Sequence, residues 1–418
     1  MKKYSLIPIM LLFTSLIFGQ GIYNNGGKIV VGSGVTLTVS GSGGNYLNQT
    51  NGTLNLSGTV KLAGNLTNNA TGDVIVTAGA GSKVELNGTA AQTIGGTTSS
   101  TFTFPDLVVN NPTGVTFQKD ASVTGALSLT NGLVDIGNNN FTLGAASTIV
   151  GTPSASSMII ATGTGQVQKA WTATGSFTFP VGDNTGTAEY SPVSLTFTSG
   201  TFGSGGFTGL TLTNSAYTDP LITGSYLNRY WNLTQTGITS PVYNATFQYV
   251  IADVVGTESS IRTFRVTPLP KTTFSLANTT LHQLIESGLT SFGTFTGGPA
   301  VVLAAYAVTG GGLYCFGSGG LPVGVANSEL GVTYTLFKNA VAQVPTVLGT
   351  GSAISFGNQL AGTYTVVATN GTSTTNMTGS AVIIENPIPS ITGTTPGSVC
   401  GSGTATLGAI ASAGTINW

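Results

Sequence analysis

A six-residue phrase recurs along the first third of this chain: a small polar residue, glycine, one further residue, then two apolar side chains separated by a single residue. It reads Asn51-Gly-Thr-Leu-Asn-Leu56, Ser57-Gly-Thr-Val-Lys-Leu62, Thr71-Gly-Asp-Val-Ile-Val76, Thr124-Gly-Ala-Leu-Ser-Leu129 and Asn131-Gly-Leu-Val-Asp-Ile136. Glycine accepts a positive φ at a corner, and the alternation places both aliphatics on one side of a short strand. Many short strands with tight corners predict a β-solenoid over residues 21–164, each rung bonded to the next and its aliphatics stacked into one core. The copies are unevenly spaced, so a β-sandwich stays open as the competing arrangement. Asn24-Asn25, Asn68-Asn69, Asn110-Asn111 and Asn138 to Asn140 fall between the alternating segments. Asparagine suits such corners by tolerating left-handed geometry and bonding its own backbone.

Such a core matters because charge is scarce. Only 6% of residues are Asp, Glu, Lys or Arg and the formal net charge is -1, against a usual charged share of about 25%. Twelve basic residues spread over 418 leave no electrostatic footprint for phosphate backbones or anionic lipid, which excludes nucleic acid as a partner. Residues 1–20 run from Met1-Lys2-Lys3 through an apolar stretch, Leu6 to Phe18, the layout of a secretory signal peptide. The longest later apolar run, Ala300 to Val308, suits a buried strand. The expected chain is therefore secreted or displayed at the cell surface, with no transmembrane segment after signal cleavage.

Beyond the repeats the texture changes. Residues 165–298 carry longer alternating segments with aromatics, as in Ser176-Phe-Thr-Phe-Pro180, Val193-Ser-Leu-Thr-Phe197, Arg229-Tyr-Trp-Asn-Leu233 and Ala245-Thr-Phe-Gln-Tyr-Val250, and read as a β-sandwich. Helical periodicity is confined to Leu281–Ile285, little more than one turn. Residues 299–389 have the size of an immunoglobulin-like module, and Tyr364, after a glycine at the start of an alternating strand, resembles a tyrosine corner. Residues 390–418 read as the start of a further immunoglobulin-like module, truncated at Trp418. The fold class is thus all-β: a β-solenoid-like region followed by β-sandwich and immunoglobulin-like modules.

Five further phrases, Val84-Glu-Leu-Asn-Gly-Thr-Ala-Ala-Gln-Thr-Ile-Gly95, Phe179-Pro-Val-Gly182, Tyr314-Cys-Phe-Gly317, Gly331-Val-Thr-Tyr-Thr-Leu336 and Gly362-Thr-Tyr-Thr-Val366, resemble the large multidomain surface proteins of Bacteroidetes with immunoglobulin-like repeats. The resemblance spans nearly the whole mature chain. It implies export across both membranes, often by the type IX secretion route, display on the cell surface and adhesion. Two departures stand out: no sorting domain precedes Trp418, and Thr374-Thr-Asn-Met377 occupies the place where similar modules carry a cysteine that partners the one at Cys315. For Cys400 the resemblance implies a partner beyond residue 418.

Chemistry-bearing residues are few. His282, the single histidine, has Glu286 four residues on, but no Gly-x-Ser-x-Gly elbow occurs. One histidine and two distant cysteines make no zinc site. Polysaccharide-cleaving enzymes use paired carboxylates; Asp73, Glu85, Asp106, Asp120 and Asp135 lie scattered through the repeats, with only Lys28, Lys61, Lys83 and Lys119 as bases. Asp183-Asn184 and Asp253 have oxygens for calcium yet form no spaced acidic loop, and turn and capping roles are the favoured reading. Trp171, Trp231 and Tyr230 are candidates for a sugar-stacking platform, but burial is the favoured role, with one of Tyr230 and Trp231 facing inward. Cys315 and Cys400 fall in modules separated by Pro387 and Pro389 and are not expected to pair. No catalytic, cofactor-binding or metal residue is assigned. The expectation is a non-catalytic structural or adhesive surface protein whose partner is an unknown surface ligand, carbohydrate or host matrix protein. Its alternatives are a carbohydrate-binding module or β-helix polysaccharide enzyme, and an ice- or crystal-binding solenoid.

Overall fold

A computed structural model describes residues 21–417 except Ser42, Ala80, Thr98, Ser99, Pro220 and Thr372, and only the backbone of Thr77. The expected signal peptide therefore lies outside the described residues. The protein is 53% strand and 2% helical, and its N-terminal region is a β-solenoid of about seven turns. Contacts divide the chain into two compact units, residues up to Pro268 with Thr273–Ala300, and Leu269–Thr272 with Val301 onward.

The solenoid has three faces. Parallel strands on the first run from Ile22–Asn25 through Tyr46–Gln49 and Leu66–Asn68 to Val181–Asp183. On the third, Thr36–Val39, Thr59–Leu62, Lys83–Leu86, Asp106–Asn110, Ala126–Asn131 and Thr148–Val150 stack in one sheet. Register explains the core: Leu37, Val60, Val84, Leu107 and Leu127 form one column, and Val39, Leu62, Leu86, Val109 and Leu129 another. All of these except the half-buried Leu37 are 5% exposed or less. The repeated phrases are single sides of a rung, not whole turns, since Thr53–Leu56 lies on the second face and Thr59–Leu62 on the third. Along the first face Ile22, Tyr46, Leu66 and Ile94 align, steps of 24, 20 and 28 residues. Corners absorb the differences while the strands keep register, which is why the sequence spacing is uneven.

One phrase departs from its pattern. At Thr71–Val76, Val74 and Ile75 are both buried and Val76 is 57% exposed, because the register shifts where Leu54 pairs with Ile75. The second face breaks there: Lys28–Val31, Thr53–Leu56 and Ile75–Ala78 form one sheet, and a new sheet starts at Phe102–Phe104.

The corner asparagines correct the expected left-handed role, for none of them has positive φ. Asn24, Asn48 and Asn68 are in register and buried. Asn48 donates to Asn68 Oδ1 at 3.0 Å and to the Gly52 carbonyl at 2.8 Å; farther along, Asn111 donates to Gln92 Oε1 at 2.9 Å. Outer corners tie rungs differently, with Asn45 Oδ1 accepting from the Asn65 amide and Asn65 Oδ1 from the Thr93 amide. The inner polar column satisfies corner groups that an all-aliphatic core would orphan.

The second face passes into the next region without a linker. Val167–Ala170 is parallel to Phe141–Leu143 and antiparallel to Val193–Thr213, making one eleven-stranded sheet. The parallel stack itself continues past residue 164, to Val181–Asp183. The two longest strands, Val193–Thr213 and Tyr230–Gln248, pair along their length with register breaks between Phe197 and Phe207. Those bulges bend the sheet onto itself; Gly205 and Gly237, at φ 73 and 67, sit at the bend. One folded sheet thus makes both layers, and Trp231 meets Phe247 across them with ring centroids 5.3 Å apart. The brief helical periodicity at Leu281–Ile285 is not a helix: Gln283–Leu289 is a strand that buries Leu284 and exposes Ile285.

In the second unit, Val308–Gly310, Leu321–Val325 and Ile354–Gln359 form one sheet. Gly312–Cys315 pairs in parallel with Ala381–Asn386 in the other. Tyr364 is buried and donates to the Leu360 carbonyl at 2.6 Å, the bond of a tyrosine corner. Ile391–Thr395 and Gly408–Ala411 form a separate hairpin.

Candidate functional site

The densest ionic cluster centres on Arg229, fully buried just ahead of the strand Tyr230–Gln248. Its Nη1 donates to Asp183 Oδ2 at 2.6 Å, its Nε to Asp253 Oδ2 at 2.7 Å, and its Nη2 to Glu189. Asp183 ends the last parallel strand, Glu189 lies on the strand that turns back beside it, and Asp253 closes a 3-10 turn, Ile251–Asp253. Asp183 Oδ1 also accepts from Asn214 Nδ2 at 2.9 Å and the Thr185 amide at 3.1 Å. Burial opposes the guanidinium charge, but the bonds and charges of Asp253 and Asp183 outweigh it and raise the Arg229 pKa. Burial, then the Asp253 charge, raise Glu189 above its ordinary value despite Arg229. Three carboxylates around one arginine leave excess negative charge, and Glu189 is the least buried of the three.

Asp183 and Asp253 take the turn and capping roles that sequence reasoning favoured over calcium, Asp183 Oδ1 accepting from the Thr185 amide and Asp253 Oδ2 from the Val250 amide, but sequence reasoning missed Arg229. The structure brings the two aspartates together around the guanidinium and leaves Asn184 exposed. Among the described residues, no group of three or more His, Cys, Asp or Glu could hold a metal ion. The three ion pairs of Arg229 tie the end of the coil to the folded sheet.

His282 does not pair with Glu286. Its Nδ1 lies 2.7 Å from Glu258 Oε1, which also accepts from the Tyr249 hydroxyl at 2.7 Å. Burial and the Glu258 bond raise the Tyr249 pKa. Glu286 is buried elsewhere, bonded to the Ser275 amide and hydroxyl. Spacing of four brings side chains together on a helix, but this segment is a strand.

The five solenoid carboxylates are spent on the coil itself. Asp106 Oδ1 accepts from the Ala126 amide at 2.6 Å, Asp120 Oδ1 from the Asn140 amide at 2.8 Å, and Asp135 Oδ1 from the Gly137 amide at 2.9 Å. Glu85 pairs with Lys61 at 2.7 Å. Asp73, raised by burial, reaches the Thr103 amide at 3.5 Å across the break in the second face. A groove of about 430 Å³ opens beside it, lined by Asn51, Thr53, Thr71, Asp73 and Val76 among others. Lys169 replaces an aliphatic on the last rung, in register with Leu143, and donates to the carbonyls of Gly144, Ala145 and Ser147 at 2.6 to 3.0 Å. Burial pushes its pKa down to about 8.

The aromatic candidates are placed inside. Trp171 is 5% exposed and donates to Thr208 Oγ1, Trp231 is fully buried, and half-buried Tyr230 packs edge-on against Tyr217. Thr36-Leu-Thr38 stacks on Thr59-Val-Lys61 and then Lys83-Val-Glu85, so its threonine columns end within a rung or two. Cys315 and Cys400 are both free and exposed. No helix among the described residues is long and apolar enough to cross a membrane. No protein-family model matches the chain, and neither does any curated protein or solved structure.

Proposed function

We propose that the chain is a secreted, cell-surface structural and adhesive protein without catalytic activity, in which a stiff β-stalk presents broad polar faces for weak, repeated contacts. The observation that carries this reading is the unbroken ladder from Phe141–Leu143 through Val167–Ala170 into Val193–Thr213, which joins coil to folded sheet without a flexible link. The coil's carboxylates support it, being committed to backbone amides or to lysine rather than facing one another in a cleft. Weak polar contacts gain strength from multivalency. Beads densely coated with residues 21–418 are expected to bind glycan or matrix-protein arrays while the single chain in solution binds poorly. Absence of bead binding, or turnover of any polysaccharide on a broad panel, would refute the reading. A carbohydrate-binding module is a second reading, favoured by the groove beside Asp73; Asp73→Asn abolishing glycan binding would select it.

A further inference from the structure

The hairpin at residues 391–411 repeats the opening hairpin of the preceding module. That earlier hairpin pairs Val308 with Val325, Thr309 with Gly324 and Gly310 with Val323. Adding 85 to each number gives Gly393 with Ile410, Thr394 with Ala409 and Thr395 with Gly408, and these are the pairs observed. The same offset carries Cys315 to Cys400 and Tyr314 to Val399. Both loops, 311–322 and 396–407, therefore have equal length, and the short Gly-Ser-Gly that follows Cys315 by one residue follows Cys400 directly.

The two hairpins differ in what covers them. Tyr314, Val323 and Val325 are buried at 5%, 1% and 0% exposure, whereas Val399 is 51% and Ile410 67% exposed. Val325 is paired with Ile354 of the strand Ile354–Gln359, and Gly312–Cys315 lies alongside Ala381–Asn386. Among the described residues, Gly408–Ala411 pairs only with Ile391–Thr395. A lone hairpin is marginal in water, and its apolar side needs a partner layer.

We infer that residues 391–411 open a second copy of the module, and that their uncovered side is a docking surface for strands of the type of Ile354–Gln359 and Ala381–Asn386, joined in cis after Ala411. The cis arrangement is favoured because the corresponding strands of another copy already cover that copy's own Val325 and Tyr314. The test duplicates residues 327–386 directly after Ala411 in the otherwise full chain and follows amide hydrogen exchange. Amides of 397–400 and 408–410 are expected to exchange fast in the parent chain and to slow at least about a hundredfold in the duplicated chain, toward the rates at 312–315 and 323–325. Unchanged exchange there would overturn the inference, as would a parent chain whose hairpin is already protected in a concentration-dependent dimer. A second variant guards against misfolding of the added segment. Replacing residues 308–325 by 393–410, of equal length, is expected to leave exchange at 354–359 slow, and loss of that protection counts against equivalence.

Discussion

Replacing Asn68 by alanine should destabilise the solenoid several times more than the same change at its neighbour Asn69. Asn68 is 1% exposed; its Nδ2 donates to the Gly72 carbonyl at 2.8 Å, and its Oδ1 accepts from Asn48 Nδ2 at 3.0 Å and the Ala70 amide at 3.2 Å. Alanine leaves the buried Ala70 amide without its partner and removes one of the two bonds of Asn48 Nδ2, which keeps the Gly52 carbonyl, while the Gly72 carbonyl, on an exposed residue, turns to water. At about 1 kcal/mol for each of the two buried donors, the low end for an orphaned buried group, the loss is about 2 kcal/mol. Asn69 faces outward, where its Oδ1 accepts from the amide and hydroxyl of Thr97; water replaces those bonds, and the loss is about 0.5 kcal/mol. For a unit of this size, 1 kcal/mol moves the thermal midpoint by about 2 to 4 °C. Asn68→Ala should therefore melt roughly 4 to 8 °C lower by circular dichroism, and Asn69→Ala about 1 to 2 °C lower. Equal shifts for the two, or a loss near zero at Asn68, would show that the buried polar column does not hold the corners.

At the Arg229 cluster, Glu189 has a raised folded-state pKa, so its ionisation opposes folding as pH rises from about 4.5 upward. Glu189→Gln should therefore match or exceed wild-type stability at pH 7 and flatten the fall above pH 4.5, whereas Asp253→Asn, removing a buried partner, should destabilise in urea titrations. Tyr364→Phe deletes the bond to the Leu360 carbonyl and should cost about 1 kcal/mol, read as faster exchange within Gly362–Thr369. Lys169→Met orphans three carbonyls and should cost about 2 kcal/mol at neutral pH. The folded Lys169 pKa near 8 lies below the ordinary 10.5, so the wild type should gain on the Met variant as pH rises through that window; a narrowing gap refutes the assignment.

Local signals in the chain were read correctly where they depend on strand alternation. Val60, Leu62, Leu127, Leu129, Val134 and Ile136 are inward as their phrases predict, because a period of two is a property of the strand alone. Register between rungs is set by corner lengths, which vary from turn to turn and carry no fixed period. That is also why the slip at Val74-Ile75 was invisible: its cause is a shifted pairing with Leu54, a neighbour in space. The asparagine pairs marked corners, but only the stacked coil shows that one member of a pair points into the core. Arg229 was missed because its carboxylates lie 24, 40 and 46 residues away. The available signal was that it is one of three arginines in the chain and directly precedes the apolar phrase containing Trp231. The Tyr364 corner was legible because its bond is local, four residues back.

The coil's register is the claim on which the rest stands, and disulfide trapping along one outward column tests it directly. With Cys315 and Cys400 replaced by serine, cysteine pairs at Lys61 and Glu85, at Glu85 and Val108, and at Val108 and Ser128 occupy facing positions on successive parallel strands. Neighbouring strands lie about 4.8 Å apart, within the span a disulfide bridges. All three pairs should oxidise readily, while a Lys61 and Val108 pair, two strands apart, should not. Failure of the facing pairs, or equal trapping of the skipped pair, would contradict a stacked solenoid.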